Sequence, residues 1–565
     1  MKSRKTCKTY PQKGSLHPSA QELLTVLRRI RAIGLCILFA LGCLAFAESL
    51  GRVHPAAPAH PAPAPPAHAA PLNAEQQVQA CIRCHKDEAE GFLQSQMGQS
   101  MSLPQDEPDG VVQIPGTTIR MFSNSKGSWQ SIESHGQTQT YRVAYVIGAD
   151  THAKGFIISL DNHLFQSPVA YYRRRAAYGL APGYENETEP DFTRPVQPGC
   201  LFCHAGSFSA IPGTANDYAS KPFSHLSIGC SRCHGPLEAH IRHPLPQNII
   251  DPANLPSAAR DSICEQCHLK GAARVLNPGK RYSDFVAGQP LEQTFTVYHD
   301  VWPGGEQAPF TVISQSEQLA RSQCKIMSGS KMWCGTCHDP HYQPTDKVGY
   351  FREKCLTCHA TTKFLPSHPP KTSNCIGCHM PTRVTSDGGH TVFTDHRIQR
   401  IVENKPAAEP LGIVAWRQPP AALQKRNRGI ALIEAGSDSK SWPMIVQGYQ
   451  TLTQVQSQFP HDSEMYEHMG NALYIGRKYS EALFAYALAV RYNPDSSPDE
   501  ANLGSAYIAL GKDQLAQQCL KRALTIDPLN LEAAEDLINL YEKDNDDAKA
   551  QALRLKMQSL MSGTQ

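Results

Sequence analysis

Seven times along this chain two cysteines stand three positions apart, with a histidine directly after the second. The triplets are Cys81/Cys84/His85, Cys200/Cys203/His204, Cys230/Cys233/His234, Cys264/Cys267/His268, Cys334/Cys337/His338, Cys355/Cys358/His359 and Cys375/Cys378/His379. Two thiols on one helical turn reach the two vinyl groups along one edge of protoporphyrin and close thioethers with them. The histidine that follows then lies under the ring as the proximal iron ligand. The expectation is seven covalently bound haem c groups, enclosed in a core that they help to build. Zinc would need motifs that pair into closed four-ligand sites, with no use for a histidine after every pair. A thioredoxin-like site would need one motif in an α/β unit.

Iron held from one side has a second axial position. In Cys334-Gly335-Thr336-Cys337-His338-Asp339-Pro340-His341 the two histidines are three residues apart, and about 10 Å of chain cannot round a porphyrin. His341 is therefore expected to serve a neighbouring iron, and His240, six residues after His234, is read the same way. After His85 the chain runs Gln94-Ser95-Gln96-Met97-Gly98-Gln99-Ser100-Met101. Met97 or Met101 could ligate the first iron and raise its potential, could simply pack, or could leave that iron open to a small molecule. Cys324, ten residues before Cys334, is a thiol near a haem or a buried cysteine. Tyr171, Tyr172, Arg173, Arg174 and Arg175 form either an anion-steering cluster or a basic surface turn.

Cys230-Ser231-Arg232-Cys233-His234-Gly235-Pro236 with His240, Cys334 to His341, and Cys375-Ile376-Gly377-Cys378-His379-Met380-Pro381 resemble the superfamily of the tetrahaem nitrification cytochrome, the partner of hydroxylamine oxidoreductase. Tyr145 to Phe156 and Thr394-Asp395-His396-Arg397-Ile398 are similar to a branch of it that often carries appended tetratricopeptide repeats. The resemblance covers most of residues 75 to 400. It implies mostly bis-histidine haems of low potential and a periplasmic electron-transfer role, with seven sites instead of four. It points to His152, His225, His240, His341, His368 and His396 as distal ligands, with His135, His163, His243, His299 and His390 in reserve. The expected function is an exported heptahaem cytochrome that carries electrons rather than a catalyst. The alternative is a reductase or oxidoreductase acting on a small nitrogen or sulfur compound at a five-coordinate haem. With no C-x-x-C-K motif, the lysine-ligated site of pentahaem nitrite reductases is missing.

The elements that must position these groups read as follows. A basic segment ending in Arg28, Arg29 and Arg31 precedes the apolar run Ala32–Ala47, so residues 1–47 read as a signal peptide, or as an uncleaved anchor. Lipidation at Cys43 is a third reading. Residues 48–71 form a Pro/Ala-rich linker. Residues 72–404 hold the seven motifs, with a small β insertion at about 110–170, and 405–424 is a second linker. From 425 to 560, Gly470, Tyr479, Ala482, Tyr486, Ala489 and Pro494 are echoed 34 residues later by Gly504, Ala516, Ala523 and Pro528, a period that resembles the tetratricopeptide repeat. The fold class expected is mainly α with irregular loops, a haem-packed domain followed by a helical solenoid.

The formal charge of +3 belongs largely to the leader. Without residues 1–47 the chain has 46 Lys or Arg against 50 Asp or Glu, a net charge of −4. An acidic chain has little electrostatic attraction to nucleic acid. The partners expected are redox proteins docked through the repeats, with membrane association only if the leader is retained.

Overall fold

The computed structural model describes residues 74–105, 107–302, 309–359, 374–399 and 410–562. The leader, the first linker, His368 and the opening of the second linker lie outside the described residues. The described residues all belong to one compact unit.

Antiparallel hairpins dominate the first half. Strands β1 (Met101–Ser102), β2 (Gly110–Ile114), β3 (Thr117–Asn124), β4 (Gly127–Ser134), β5 (Gln137–Ile147), β6 (Ala153–Leu160), β7 (His163–Tyr172) and β8 (Ala177–Leu180) form one eight-stranded sheet. Strands β2 to β8 follow one another in sequence order, and β1 pairs with β5. Tight turns make this possible. His135 and Gly136 have φ of 52° and 72°, and Asp161 and Asn162 have φ of 47° and 65°. Two left-handed residues in succession give the turn whose twist matches the strands it joins.

The first and last strands meet. Tyr178 of β8 donates to the Pro108 carbonyl at 2.8 Å, and a Cβ on Gly110 of β2 would come within 2.2 Å of its ring. The sheet is thus a near-closed barrel. Ile119, Ile132, Tyr141, Ile158, Phe165 and Val169 pack in its core. Buried apolar side chains supply that core, which corrects the expectation of a mainly α, haem-packed domain with a small insertion: the fold is mixed α/β. The pattern was hard to read because Gln130 and Ser167 are also wholly buried, joined by a 2.6 Å hydrogen bond, and β7 is buried at almost every position instead of alternating.

Shorter sheets follow among the motif segments. β9 (Ser207–Ala210) pairs with β10 (Tyr218–His225), and β13 (Thr382–Val384) with β14 (Val392–Thr394). β11 (Ala273–Leu276), β12 (Phe295–Val301) and β15 (Gly412–Ala415) form a three-stranded sheet. β15 lies inside the segment expected as a linker, and its Ile413 is buried.

Eight helices complete the chain: Gln424–Asp438, Trp442–Val455, Ser463–Ile475, Tyr479–Tyr492, Ser497–Ala509, Asp513–Ile526, Leu531–Lys543 and Asp547–Met561. The 34-residue pattern is a packing rule. Gly470 faces the Tyr486 ring and Gly504 faces Leu520, each closer than a Cβ would allow, while Ala482, Ala489, Ala516, Ala523 and Ala550 are fully buried between helices. The caps keep the same period. The side chains of Asp462, Ser496 and Asn530 each accept from the backbone N–H three residues on.

Besides an apolar cluster of its own around Leu520, Leu537 and Tyr541, the tail shares clusters with the rest of the chain at both ends. Ile430, Leu432, Ile433 and Met465 share one apolar cluster with Val275, Tyr298 and Ile413. Leu529, Ala534 and Met557 share another with the barrel residues above. Arg426, wholly buried, is held by Asp462, Glu464 and the Leu276 carbonyl.

Candidate functional site

Each motif whose closing hydrogen bond is described completes one helical turn. The N–H of His85, His234, His338 and His359 donates to the carbonyl of the first cysteine of its motif, at 2.8 to 2.9 Å. This puts the two thiols of a motif on one face of the turn, as thioether attachment to one porphyrin edge requires.

The thiols are not equally sheltered. Cys84, Cys358 and Cys378 are exposed, whereas the other motif cysteines are half-buried. The reason is local geometry. Residues three apart on a helical turn point about 60° from one another, so a turn lying at the surface tucks in its first thiol and turns its second outward. Cys81, Cys355 and Cys375 are the half-buried partners. At Cys358 the neighbouring Thr357 hydroxyl donates to the sulfur at 3.9 Å.

The histidines then converge in pairs. The rings of His85 and His240 have centres 6.4 Å apart with planes 29° apart; His234 and His341 are 5.9 Å and 24°; His338 and His396 are 6.1 Å and 29°. Each pair joins a motif histidine to one from outside the motifs, and each outside histidine comes from elsewhere in the chain. His341 thus faces His234, the histidine of a motif other than its own.

Hydrogen bonds select the tautomer. Nδ1 of His234, His240 and His396 lies 2.8, 3.1 and 2.9 Å from the carbonyls of Ile250, Leu245 and Thr394, and Nδ1 of His379 lies 2.9 Å from that of Gln399. A carbonyl only accepts, so Nδ1 carries the hydrogen and Nε2 keeps its lone pair, the form that ligates a metal. Burial, with its neighbours His396 and His268, pushes His338 down to about 4, although water can still reach its ring. Burial also lowers His234 and His396. These imidazoles are neutral at pH 7.

The frame between the pairs is tight. The helix Lys86–Leu93 follows the first motif, and a Cβ on its Gly91 would lie 1.9 Å from the His341 carbonyl oxygen. Thiols of different motifs also meet, Cys81 with Cys230, Cys203 with Cys267 and Cys264 with Cys334. The hydrogen bond from Cys267, helped by Arg274 and Arg232, lowers Cys203 to about 6.

Other sequence candidates fall variously. His152 packs on Phe393 with ring centres 4.3 Å apart. His225 fits against Gly206 and Gly229, where a Cβ would come within 2.7 and 2.6 Å of its ring. His368 lies outside the described residues. Met101 is buried in an apolar cluster with Ile157 and Leu164, Met97 is half-buried, and the ring opposite His85 is that of His240. Cys324 lies near Cys337 and Cys355. Tyr172 is wholly buried and donates to the Leu180 carbonyl, so Tyr171 to Arg175 do not make one anion-steering surface. His163, a reserve ligand, is bound instead to Asp527, a partner that no local motif signals.

Comparison with known proteins bears on the tail. The tetratricopeptide repeat family matches residues 501–528. Similar solved structures include the first such domain of human RPAP3, 22% identical, over 22% of this chain and 93% of that one, TM-score 0.19. The same domain of Spaghetti (RPAP3), bound to an HSP90 peptide, is 22% identical over 20% and 92%, TM-score 0.19. MamA from Desulfovibrio magneticus RS-1 is 17% identical over 25% and 81%, TM-score 0.23. At those scores the structures carry no argument, and the repeat assignment rests on the family match and the helix packing. No curated protein matches.

The comparisons correct the wider family reading. What matches is the tetratricopeptide repeat and not the tetrahaem nitrification cytochrome superfamily. Among the described residues no group of three or more His, Cys, Asp or Glu side chains could hold a metal ion. Electron transfer through a haem chain, and the reductase alternative, lose the family support they were drawn from. The tail is a tetratricopeptide-like region suited to docking other proteins. Among the described residues no helix is long and apolar enough to cross a membrane.

Proposed function

We propose that the chain is a docking protein whose repeat helices bind a partner protein, and that its seven Cys-x-x-Cys-His segments carry covalently attached haem c. The observation that carries the cofactor reading is the set of three histidine pairs with ring centres 5.9 to 6.4 Å apart. Two metal–nitrogen bonds of about 2 Å, with about 1.1 Å from each nitrogen to its ring centre, need roughly 6.2 Å. A cage for a bare ion needs three or more protein ligands, whereas a macrocycle brings its own equatorial donors, so two histidines suffice.

In this reading the cysteines of each motif anchor the porphyrin edge, His85, His234 and His338 take the proximal side, and His240, His341 and His396 the distal side. Were iron held by both histidines of a pair, it would have no open position for a substrate. The partner is a redox protein, and covalent attachment through thioethers belongs to an exported, periplasmic chain. The test is the mass of the denatured full-length protein, matured in a host that attaches haem c. A mass raised by seven haems supports the reading; the mass of the bare chain overturns it.

A further inference from the structure

His163 opens β7 of the barrel and is 2% exposed. Its Nδ1 lies 2.9 Å from the Asp161 carbonyl oxygen. Its Nε2 lies 2.8 Å from Oδ1 of Asp527, which follows the helix Asp513–Ile526 in the tail and is 1% exposed. Asp527 is itself an acceptor: Oδ1 receives the Leu529 N–H at 3.1 Å and Oδ2 the Ala215 N–H at 3.5 Å. Both ring nitrogens of His163 thus face acceptors, and only the doubly protonated imidazolium satisfies both.

We propose that His163 and Asp527 form a protonation-dependent latch that seats the helical tail on the barrel. The charged groups facing His163 are Asp527 from the tail, Asp217 beside β10, 4.0 Å from Nδ1, and Asp161 in the β6–β7 turn. The seat beneath is apolar, with Leu529, Ala534 and Met557 against Ile119, Ile132 and Phe192. A second contact lies nearby, where the Ser497 N–H donates to the Gly213 carbonyl at 2.8 Å.

Burial pulls the His163 pKa down, but the hydrogen bond and charge of Asp527, the Asp161 carbonyl and Asp217 outweigh it and raise it above the usual value. A raised folded pKa makes the stabilisation complete below about 6.5, the unfolded value. It is lost as the pH climbs past the folded value. The neutral ring leaves one buried acceptor facing a lone pair, and the tail loosens.

The experiment is hydrogen exchange on the full-length, haem-loaded protein between pH 6 and 9, corrected for intrinsic exchange and read at amides 163–165 and 527–534. Protection in the wild type is expected to fall about tenfold for each pH unit by which the folded pKa exceeds the unfolded one. His163→Gln still donates to Asp527 but does not titrate, so its profile is expected to be flat. Asp527→Asn removes the charge and is expected to move the wild-type fall to lower pH. A flat wild-type profile, or the same slope in all three proteins, overturns the latch. If His163→Gln does not fold, the wild type against Asp527→Asn decides alone.

Discussion

His396 illustrates how much one side chain carries. Its Nδ1 is committed to the Thr394 carbonyl, its N–H to Gln318, and its ring centre stands 6.1 Å from His338. If the motif beneath carries the proposed haem, replacing His396 with alanine removes one axial ligand and leaves that motif intact. In haem-loaded His396→Ala, haem content is expected to stay constant while one high-spin ferric site appears in the electron paramagnetic resonance spectrum; a spectrum identical to wild type argues against the pair. Asp499 tests electrostatics instead. It is 4% exposed, and burial together with Glu467 raises it to about 8. A carboxyl with a raised folded pKa binds a proton on folding, so stability declines as pH rises from about 3.8 to about 8. Asp499→Asn is expected to add on the order of 1–3 kcal/mol at pH 8, less the about 0.3–1 kcal/mol that a carboxylate contributes at a helix N-terminus, and almost nothing at pH 4. Urea unfolding at the two pH values checks this. At this scale much was legible. The seven triplets, and the inference that His338 and His341 cannot flank one porphyrin, follow from spacing alone, because three residues of chain have a fixed maximum reach. Spacing says nothing of shelter, so the exposure of Cys84, Cys358 and Cys378 could not be read from it. The identity of the ring opposite His85 was hidden too, because His240 lies 155 residues away and nothing local distinguishes it from Met97 or Met101.

Among the elements, the helical tail and the barrel contrast. Gly470, Gly504 and the buried alanines occur every 34 residues because each helix pair repeats the same close approach, so a local pattern announced the structure. The barrel hid itself. Polar Gln130 and Ser167 sit inside it, β7 has no alternation, and closure depends on Tyr178 meeting the Pro108 carbonyl across the seam. Arg426 begins the tail and joins it to the β11 strand through the Leu276 carbonyl. Arg426→Ala would strand Asp462 and Glu464 without their cation, and breaking a buried ion pair of this kind costs about 3–5 kcal/mol. A fall in the urea midpoint of that size is expected, with an unchanged slope; a loss below about 1 kcal/mol would mean that water replaces the arginine.

For the whole molecule, the tail is at once a docking region and part of the wall. Its first helices share a core with the β11–β12–β15 sheet and its last with the barrel. A chain ending at Leu423 would expose both apolar seats. We expect it to sediment as aggregate and to be cut rapidly by protease within the barrel strands, where the intact chain resists. A soluble, resistant fragment would mean that the tail is a separable module. This coupling is the least legible property of all, since it rests on side chains far apart in sequence whose only relation is spatial.

The partners His163 and Asp527 stand 364 positions apart. Read as an order of assembly, this distance sets a timetable. A chain delivered from its N-terminus presents the barrel strands well before the helices that cover them. The barrel must wait with Ile119, Ile132 and Phe192 uncovered while the segments between follow, and contacts of such long range close slowly. The arrival of the helices that carry Ala534 and Met557 is therefore what releases the chain from this aggregation-prone state.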